Sequence, residues 1–266
     1  LGLLASARNL IRSESILRLD GQVAFITGGG RGIGRAIGLA FASEGAVVGI
    51  ADIDRASAEA TVADIGKASG MARAFVIDAS RRQAVLDATD RLVSEFGCLD
   101  AVVNSAILFR YEPVGEIREE TWDRMTAVGL KSLIWGAQAA DRHMVPERGG
   151  VIINFSSPVA DRGHSGTAVY SAIKGAVGAL TRALAVEFGP RRIRVNAISP
   201  GAIPTPGARA LVDDAGYEAR RKRTPLGRLG TAEEIGAAAV FLASSDGAFI
   251  TGEVLHVDGG TTIMGG

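Results

Sequence analysis

Cysteine is nearly absent. A single residue, Cys98, in a chain of 266 excludes an internal disulfide and a cysteine-based metal cluster, and makes the reducing cytoplasm the expected compartment. Cys98 itself reads as a small core residue. A charge excess of either sign is also missing, since 29 basic residues balance 29 acidic ones. No global field recruits nucleic acid or an anionic bilayer, and partners have to be sought in local sites. No uncharged apolar run approaches the ~20 residues that span a bilayer, so a soluble protein without a membrane partner is expected. No spacing of His, Cys, Asp and Glu suggests a metal, with His143 and His256 isolated. Aromatic residues make up only 5% of the chain, but hydrophobic residues make up 47% and charged ones 22%, an ordinary globular composition with material for a large core. At ~150 residues per domain the length permits a single large α/β domain.

The opening Leu1–Ala7 is briefly apolar but lacks the basic leader of a signal peptide and runs at once into Arg8, Arg12 and Glu14. Residues 1–19 are read as an N-terminal helical arm packing on another subunit, and residues 20–266 as the domain. From Gly21 onward, short β-branched runs alternate with helical stretches, the pattern of parallel βαβ units. Strands are expected at Val23–Thr27, Ala46–Ala51, Ala72–Ile77, Ala101–Val103, Val151–Ser156, Arg194–Ile198 and Glu253–Val257. The runs are almost wholly apolar, as when helices cover both faces of a sheet. Helices are expected at 32–44, 54–68, 80–96, 119–143, 168–189 and 231–243, with a less regular stretch at 202–226 that carries Pro204, Pro206 and Pro225. The fold class is a single-domain, Rossmann-type, doubly wound parallel sheet of about seven strands.

The first strand runs directly into Gly28-Gly29-Gly30-Arg31-Gly32-Ile33-Gly34 and then a helix. Glycine permits positive φ and lets the main chain approach a pyrophosphate, while the unpaired N–H groups and dipole of a helix start favour its charge. The second strand ends at Asp52, twenty residues after Gly32, where a carboxylate can accept hydrogen bonds from an adenosine ribose. It would repel a 2′-phosphate and so favours NAD over NADP, with Arg31 as a partial offset. Asp52 also has a reading as a helix cap, although Asp54 is better placed for that. Asp78 and Asn104 end the third and fourth strands at the carboxyl edge where such sheets bind ligands; each could equally be a capping residue.

Further along stand Ser157, Tyr170-Ser-Ala-Ile-Lys174, Asn196 and Pro200-Gly201-x-x-x-Thr205, with Val257-Asp258-Gly259-Gly260 near the end. Tyr170 and Lys174 lie one helical turn apart on one face, so an ammonium can sit near the phenol and favour its ionised form. A tyrosine of pKa about 10 needs such help to act as a base near neutral pH. Lys174 is one of only four lysines among the 29 basic residues. Together with Thr27-Gly28-x-x-x-Gly32-Ile33-Gly34, these residues resemble the short-chain dehydrogenase/reductase family from about Leu19 to Gly260.

The resemblance implies hydride transfer between a nicotinamide and a secondary alcohol or its ketone. Tyr170 would exchange a proton with the substrate oxygen and Ser157 would hydrogen-bond it. Lys174 would bind the nicotinamide ribose and lower the tyrosine pKa. Cofactor contacts would come from Gly28, Arg31, Gly32, Ile33, Gly34, Asp52, Ile53, Asp78, Ala79, Asn104 and Ala106, then from Tyr170 and Lys174, and from Pro200, Gly201, Ile203 and Thr205 around the carboxamide. Ile107, Pro158, Val159 and His164, with Leu108 and Phe109, would line the substrate pocket, and 202–226 would form a lid. The Tyr-x-x-x-Lys spacing differs from that of the superfamily's enoyl reductases.

Two positions depart from the family pattern. Where the family carries a catalytic asparagine in the helix after Trp122-Asp, this chain has Gly129, which keeps the main-chain carbonyl and implies a bent helix without the fixing side chain. In the segment Asn104-Ser105-Ala106-Ile107, Ile107 stands where glycine is usual and narrows the pocket or shifts it toward apolar groups. The expected protein is an NAD-dependent oxidoreductase of a mostly apolar alcohol or ketone. The alternatives are an NADP-dependent ketoreductase, if Arg31 outweighs Asp52, and an NAD-binding member without turnover. His164 reads as a loop or pocket-wall residue, and Arg220-Arg-Lys-Arg223 as a solvated helix face or subunit contact, with an acidic substrate or carrier protein as its other reading. A homo-oligomer, dimer or tetramer, is expected through the small residues Ala172, Ala176, Gly178, Ala179 and Ala183.

Overall fold

Seven parallel strands in the order β3-β2-β1-β4-β5-β6-β7 form one sheet in the computed structural model, which describes residues 17–264. The strands are β1 (Val23–Thr27), β2 (Val47–Asp52), β3 (Met71–Val76), β4 (Ala101–Asn104), β5 (Gly150–Phe155), β6 (Ile193–Pro200) and β7 (Val254–Val257). All lie within two residues of their sequence-based bounds. The helices are α1 (Gly32–Ser43), α2 (Arg55–Lys67), α3 (Arg82–Phe96), α4 (Glu119–Thr126), α5 (Ser132–His143), α6 (Ala168–Phe188), α7 (Pro206–Arg209), α8 (Asp214–Arg223) and α9 (Ala232–Ala243). The chain leaves β1 toward β2 and β3 on one side, then crosses to β4 on the other. That reversal opens a crevice at the carboxyl ends of β1 and β4.

One core layer sets Ile26, Val48 and Ile153 of the sheet against Ile37 and Phe41 of α1, Ile65 of α2 and Ile235 and Val240 of α9. The opposite layer sets Phe25, Val102 and Ile152 against Leu92 of α3, Ala140 of α5 and Leu184 and Phe188 of α6. Each large apolar side chain buried in this way contributes about 1.5–3 kcal/mol. Leu19, the last residue of the expected arm, is fully buried in the first layer, and its N–H donates to the Glu44 carbonyl. Residues 1–16, most of the expected helical arm, lie outside the described residues, and its last residues, Leu17–Leu19, form no helix but lead into a turn.

Burial on both faces holds for the central strands but not at the edge. β1 is buried throughout, whereas β3 alternates, leaving Met71 60% and Val76 39% exposed. β3 pairs only with β2, so its outward side chains meet solvent rather than a covering helix.

The expected helix over 119–143 is broken by a π-helical segment, Ala127–Lys131, with Gly129 buried at its centre. The stretch at 202–226 resolves into α7 and α8. By length and composition α6 could cross a membrane, but it packs on β6 through Val177, Leu184 and Phe188 and buries Lys174. That makes it a covering helix of the sheet. Of its small residues, Ala172, Ala179 and Ala183 are exposed, Ala176 is half-buried, and Gly178 faces the subunit's own core, 3.6 Å from the Val254 side chain measured from a Cβ built on it.

Candidate active site

The glycine turn after β1 is tied to β4. The Thr27 hydroxyl accepts from the Ala106 N–H at 3.3 Å, and Gly28, at φ +68°, passes so close that a Cβ there would lie 2.8 Å from the Ala106 Cα. A Cβ on Gly34 would overlap the Gly28 carbonyl oxygen. Only glycine fits this crossing. α1 then begins at Arg31 without a side-chain cap, so its first N–H groups face the cleft. A main chain that close, with donors left free, suits the pyrophosphate of a dinucleotide.

Asp52, at the end of β2, accepts from the Gly30 N–H at 2.9 Å and from the Asp54 N–H at 3.0 Å. Asp54 is the cap of α2, accepting from the Ala56 N–H. This divides the two roles that the sequence left open for Asp52. Arg31 turns away from Asp52, pairing with Asp54 and donating from Nε to the Ser57 hydroxyl at 2.8 Å. Ser57 and Arg31 hold the Asp54 carboxyl below its ordinary pKa. Asp78 binds the Ser80 N–H and hydroxyl through one oxygen. Buried Asn104 donates to Asn154, which donates to Thr181.

On the other side of the crevice, Ser157 follows β5, and Tyr170 and Lys174 project from α6. The Lys174 Nζ lies 5.6 Å from the Tyr170 ring centre and donates to the Phe155 carbonyl at 2.6 Å. The Ser156 hydroxyl donates to the Lys174 carbonyl at 3.0 Å. These two bonds lock the end of β5 to α6. Burial lowers the Lys174 pKa to about 8. Burial also pushes the Tyr170 phenol above its ordinary value, the neighbouring Tyr111 adds to the rise, and the Ser157 side chain opposes it. The sequence led us to expect a phenol lowered by the lysine. Here desolvation sets the direction, and the Lys174 ammonium is directed to the Phe155 carbonyl rather than to the phenol. Tyr170 is held in place by Phe109 and Tyr111, with ring centres 5.4 and 6.0 Å away, above a small core of Met125, Val169 and Ile173.

The two departures from the family pattern meet in space. A Cβ on Gly129 would lie 3.2 Å from the Ile107 Cδ1 and 3.0 Å from the Ile173 Cγ2. Ile107 and Ile173 therefore occupy the room that a longer side chain at 129 would need.

Every residue expected from the sequence to bind cofactor or substrate lines one cleft of about 1280 Å³, from Gly28 and Asp52 through Asn104 and Ile107 to Ser157, His164, Tyr170, Lys174 and Pro200–Thr205. Sequence reasoning missed Tyr111, Arg124, Arg162 and Thr261, and it preferred a solvated face or subunit contact for Arg220 and Arg223, although both fall in the lid segment 202–226; all six line the same cleft. They lie on loops or on short helices whose rotation only the packing fixes. His164 is exposed, and its Nδ1 meets only the Ser165 carbonyl. His143 pairs with Asp90 and His256 with Asp161, and no metal-binding cluster occurs among the described residues. Asn196 braces the β6–β7 connection through the Ile250 carbonyl and the Glu253 N–H. Cys98 donates to Asp100 at 3.2 Å, and burial pushes its thiol up to about 11, so it is inert at neutral pH.

A family model described as enoyl-(acyl carrier protein) reductase matches residues 28–262. The 3-oxoacyl-(acyl-carrier-protein) reductase FabG of Thermotoga maritima is 36% identical over 247 residues, which span 93% of this chain and all of that protein. The crystal structure of a 3-ketoacyl-(acyl-carrier-protein) reductase from Brucella melitensis complexed with NADH has a TM-score of 0.85 at 35% identity, covering 92% of this chain and 99% of that one. A structure from Agrobacterium tumefaciens described as a 2-deoxy-D-gluconate 3-dehydrogenase, with bound NADP, has a TM-score of 0.85 at 35% identity, covering 94% of this chain and all of that one. One neighbour holds NADH and another NADP, so kinship does not choose between the two cofactors. Likeness of this length, in sequence and in fold together, carries one conclusion: the chain belongs to the short-chain dehydrogenase/reductase family of nucleotide-binding oxidoreductases.

Proposed function

We propose that this protein is an NAD(H)-dependent oxidoreductase that interconverts a secondary alcohol and its ketone. The observation that carries the reading is the meeting of Tyr170, Lys174 and Ser157 on the wall of the cleft that begins at the glycine turn. A bound nicotinamide supplies the hydride acceptor or donor. Tyr170 donates a proton to the ketone oxygen or takes one from the alcohol, Ser157 hydrogen-bonds that oxygen, and Lys174 holds a positive charge beside the phenol and reaches ribose hydroxyls. With its phenol held above its ordinary value, Tyr170 is a proton donor throughout the neutral range. Ketone reduction is then expected to be level from pH 6 to 7 and to fall as the Lys174 ammonium discharges through about pH 8, while alcohol oxidation rises from neutral pH toward that value. The Tyr-x-x-x-Lys spacing favours carbonyl over enoyl chemistry.

Preference for NAD rests on charge. A 2′-phosphate beside Asp52 would add charge next to a second carboxylate, Asp54, and the guanidinium that lines the cleft with Asp52, Arg31, already pairs with Asp54. A cytoplasmic location agrees with a lone, inert thiol. The exposed Ala172, Ala179 and Ala183 of α6 offer a flat face to a second copy, and light scattering should return a dimer or tetramer.

The test is NADH formation at alkaline pH across a secondary-alcohol panel, run in parallel with NADP, on the parent and on Tyr170→Phe. Turnover with NAD that falls by about 10²–10⁴ in the variant is expected. Unchanged turnover in Tyr170→Phe would refute the assigned acid/base, higher kcat/KM with NADP would overturn the cofactor choice, and tight NAD binding without turnover on any compound would favour the non-catalytic reading.

A further inference from the structure

Charge is uneven in the cleft. Its two carboxylates, Asp52 and Asp78, stand at the ends of β2 and β3, where Arg31 is already paired with Asp54, while the other charged residues of its lining, Arg124, Arg162, Lys174, Arg220 and Arg223, are all basic. The segment from Ala202 to Gly230 sharpens the contrast. Arg209 pairs with Asp214, Arg221 and Lys222 both pair with Glu218, and Arg228 pairs with Glu234. Asp213 is spent on capping α8. Arg220 and Arg223, three residues apart and therefore on one face of α8, have no carboxylate partner among the described residues, and that face is the one turned to the cleft. The basic run is thus not a uniformly solvated surface: its two middle residues are paired with Glu218, and its two ends, half-buried Arg220 and exposed Arg223, turn to the cleft without a carboxylate.

Arg220 is half-buried. Its guanidinium lies 5.8 Å from the Tyr217 ring centre, and its charge favours the ionised form of the Tyr111 phenol, which burial opposes more strongly. Tyr111 in turn packs against Tyr170. One side-chain layer therefore separates an unpaired guanidinium from the reacting phenol. A half-desolvated cation is costly without a counter-charge, and a guanidinium fork suits the planar or tetrahedral oxygens of an anion.

Resting on the dehydrogenase reading above, we propose that the substrate is a secondary alcohol or ketone that also carries an anionic group, and that Arg220 and Arg223 bind that group while Tyr170 works on the hydroxyl-bearing carbon. A carboxylate, a phosphonate or phosphate, and a sulfonate share the chemistry the site recognises. The apolar wall of Ile107, Leu108 and Phe109 then faces the body of the substrate rather than its whole length.

The experiment compares kcat/KM for 3-hydroxybutanoate with that for its methyl ester, with 2-hydroxypropylphosphonate and 2-hydroxypropane-1-sulfonate as the other anion arms. An anion over ester preference of about tenfold or more is expected, as two charge-assisted contacts imply. The ratio should collapse toward one in Arg220→Gln/Arg223→Gln, and should persist in Arg221→Gln/Lys222→Gln, whose side chains Glu218 holds outside. Arg223→Gln alone, at an exposed position, covers the case in which the double variant does not fold. Equal turnover of ester and anion, or a preference that survives the Arg220/Arg223 change, would overturn the anion site and leave the dehydrogenase reading standing. Calorimetric titration of the three anions into NAD-loaded protein decides the remaining case. If nothing is turned over, binding that is lost in Arg223→Gln keeps the anion site while the dehydrogenase reading fails, and absence of binding overturns the site as well.

Discussion

From Gly28 to Asp78 the cleft is walled by main chain and by short side chains standing at strand ends. From Ile107 to Arg223 it is walled mostly by long side chains borne on loops, on α6 and on α8. In the first half each group is fixed by backbone contacts: Gly28 against Ala106, Gly34 against the Gly28 carbonyl, Asp52 on two N–H groups. In the second half the groups are fixed by one another, as Tyr170 is by Phe109 and Tyr111, and Ile107 by the space at Gly129. A nucleotide common to many reactions calls for the first kind of construction. A substrate particular to one enzyme calls for the second, because side chains can be exchanged without moving the sheet.

The comparison breaks most severely at Gly34. Gly34→Ala puts a methyl group into the Gly28 carbonyl, and we expect a loss of about 3 kcal/mol in denaturant unfolding together with lost NAD binding by calorimetry. Retention of both would mean that the turn is not held by its backbone. In the other half, Gly129→Asn should cost about 2 kcal/mol because Ile107 and Ile173 crowd the new side chain. Adding Ile107→Ala should recover at least ~0.5 kcal/mol relative to the sum of the single changes. Additive effects would show that the two positions are independent.

The smallest effect belongs to the junction of the halves. Lys174 has a pKa of about 8 in the folded protein against an ordinary 10.5, so above pH 8 the unfolded chain binds the extra proton and unfolding free energy rises with pH. The gain should be about 1 kcal/mol between pH 8 and 9 and should vanish in Lys174→Met. Above pH 9 the raised Cys98 thiol, and above pH 10 the raised Tyr170 phenol, act in the opposite direction, because the folded state then keeps protons that the unfolded chain has lost. A flat profile for the parent protein from pH 8 to 9 would contradict the burial of a charged lysine.

The same division explains what could be read from the sequence. Gly28–Gly34, Asp52, Asp78 and Asn104 were legible because topology fixes the carboxyl ends of parallel strands at a common edge, and a residue at a strand end inherits its place. Tyr170 and Lys174 were legible because four residues make one helical turn. The opposed fates of Arg220 and Arg221 were not, since they depend on how α8 is rotated about its axis, and that is set by Tyr217 packing inside and Glu218 standing outside. Nor was the contact of Ile107 with Gly129, as the two departures lie on different elements and looked independent. The alternation of β3 was obscured by its mostly apolar composition, although Arg73, exposed between buried Ala72 and half-buried Ala74, marks the solvent face.

The π segment at Ala127–Lys131 acts as a phase shifter. Buried positions step by four from Thr121 through Met125, Gly129 and Leu133 to Ala137. A straight α-helix would drift by about 40° at each such step, and a single wider turn takes up about 100° of the accumulated error. Removing one residue between 127 and 131 would restore a regular helix, yet it would rotate all of α5 by about 100° relative to α4. Leu133, Ala137 and Ala140 would swing off the sheet, so the most regular version of this helix is one that the rest of the molecule cannot accept.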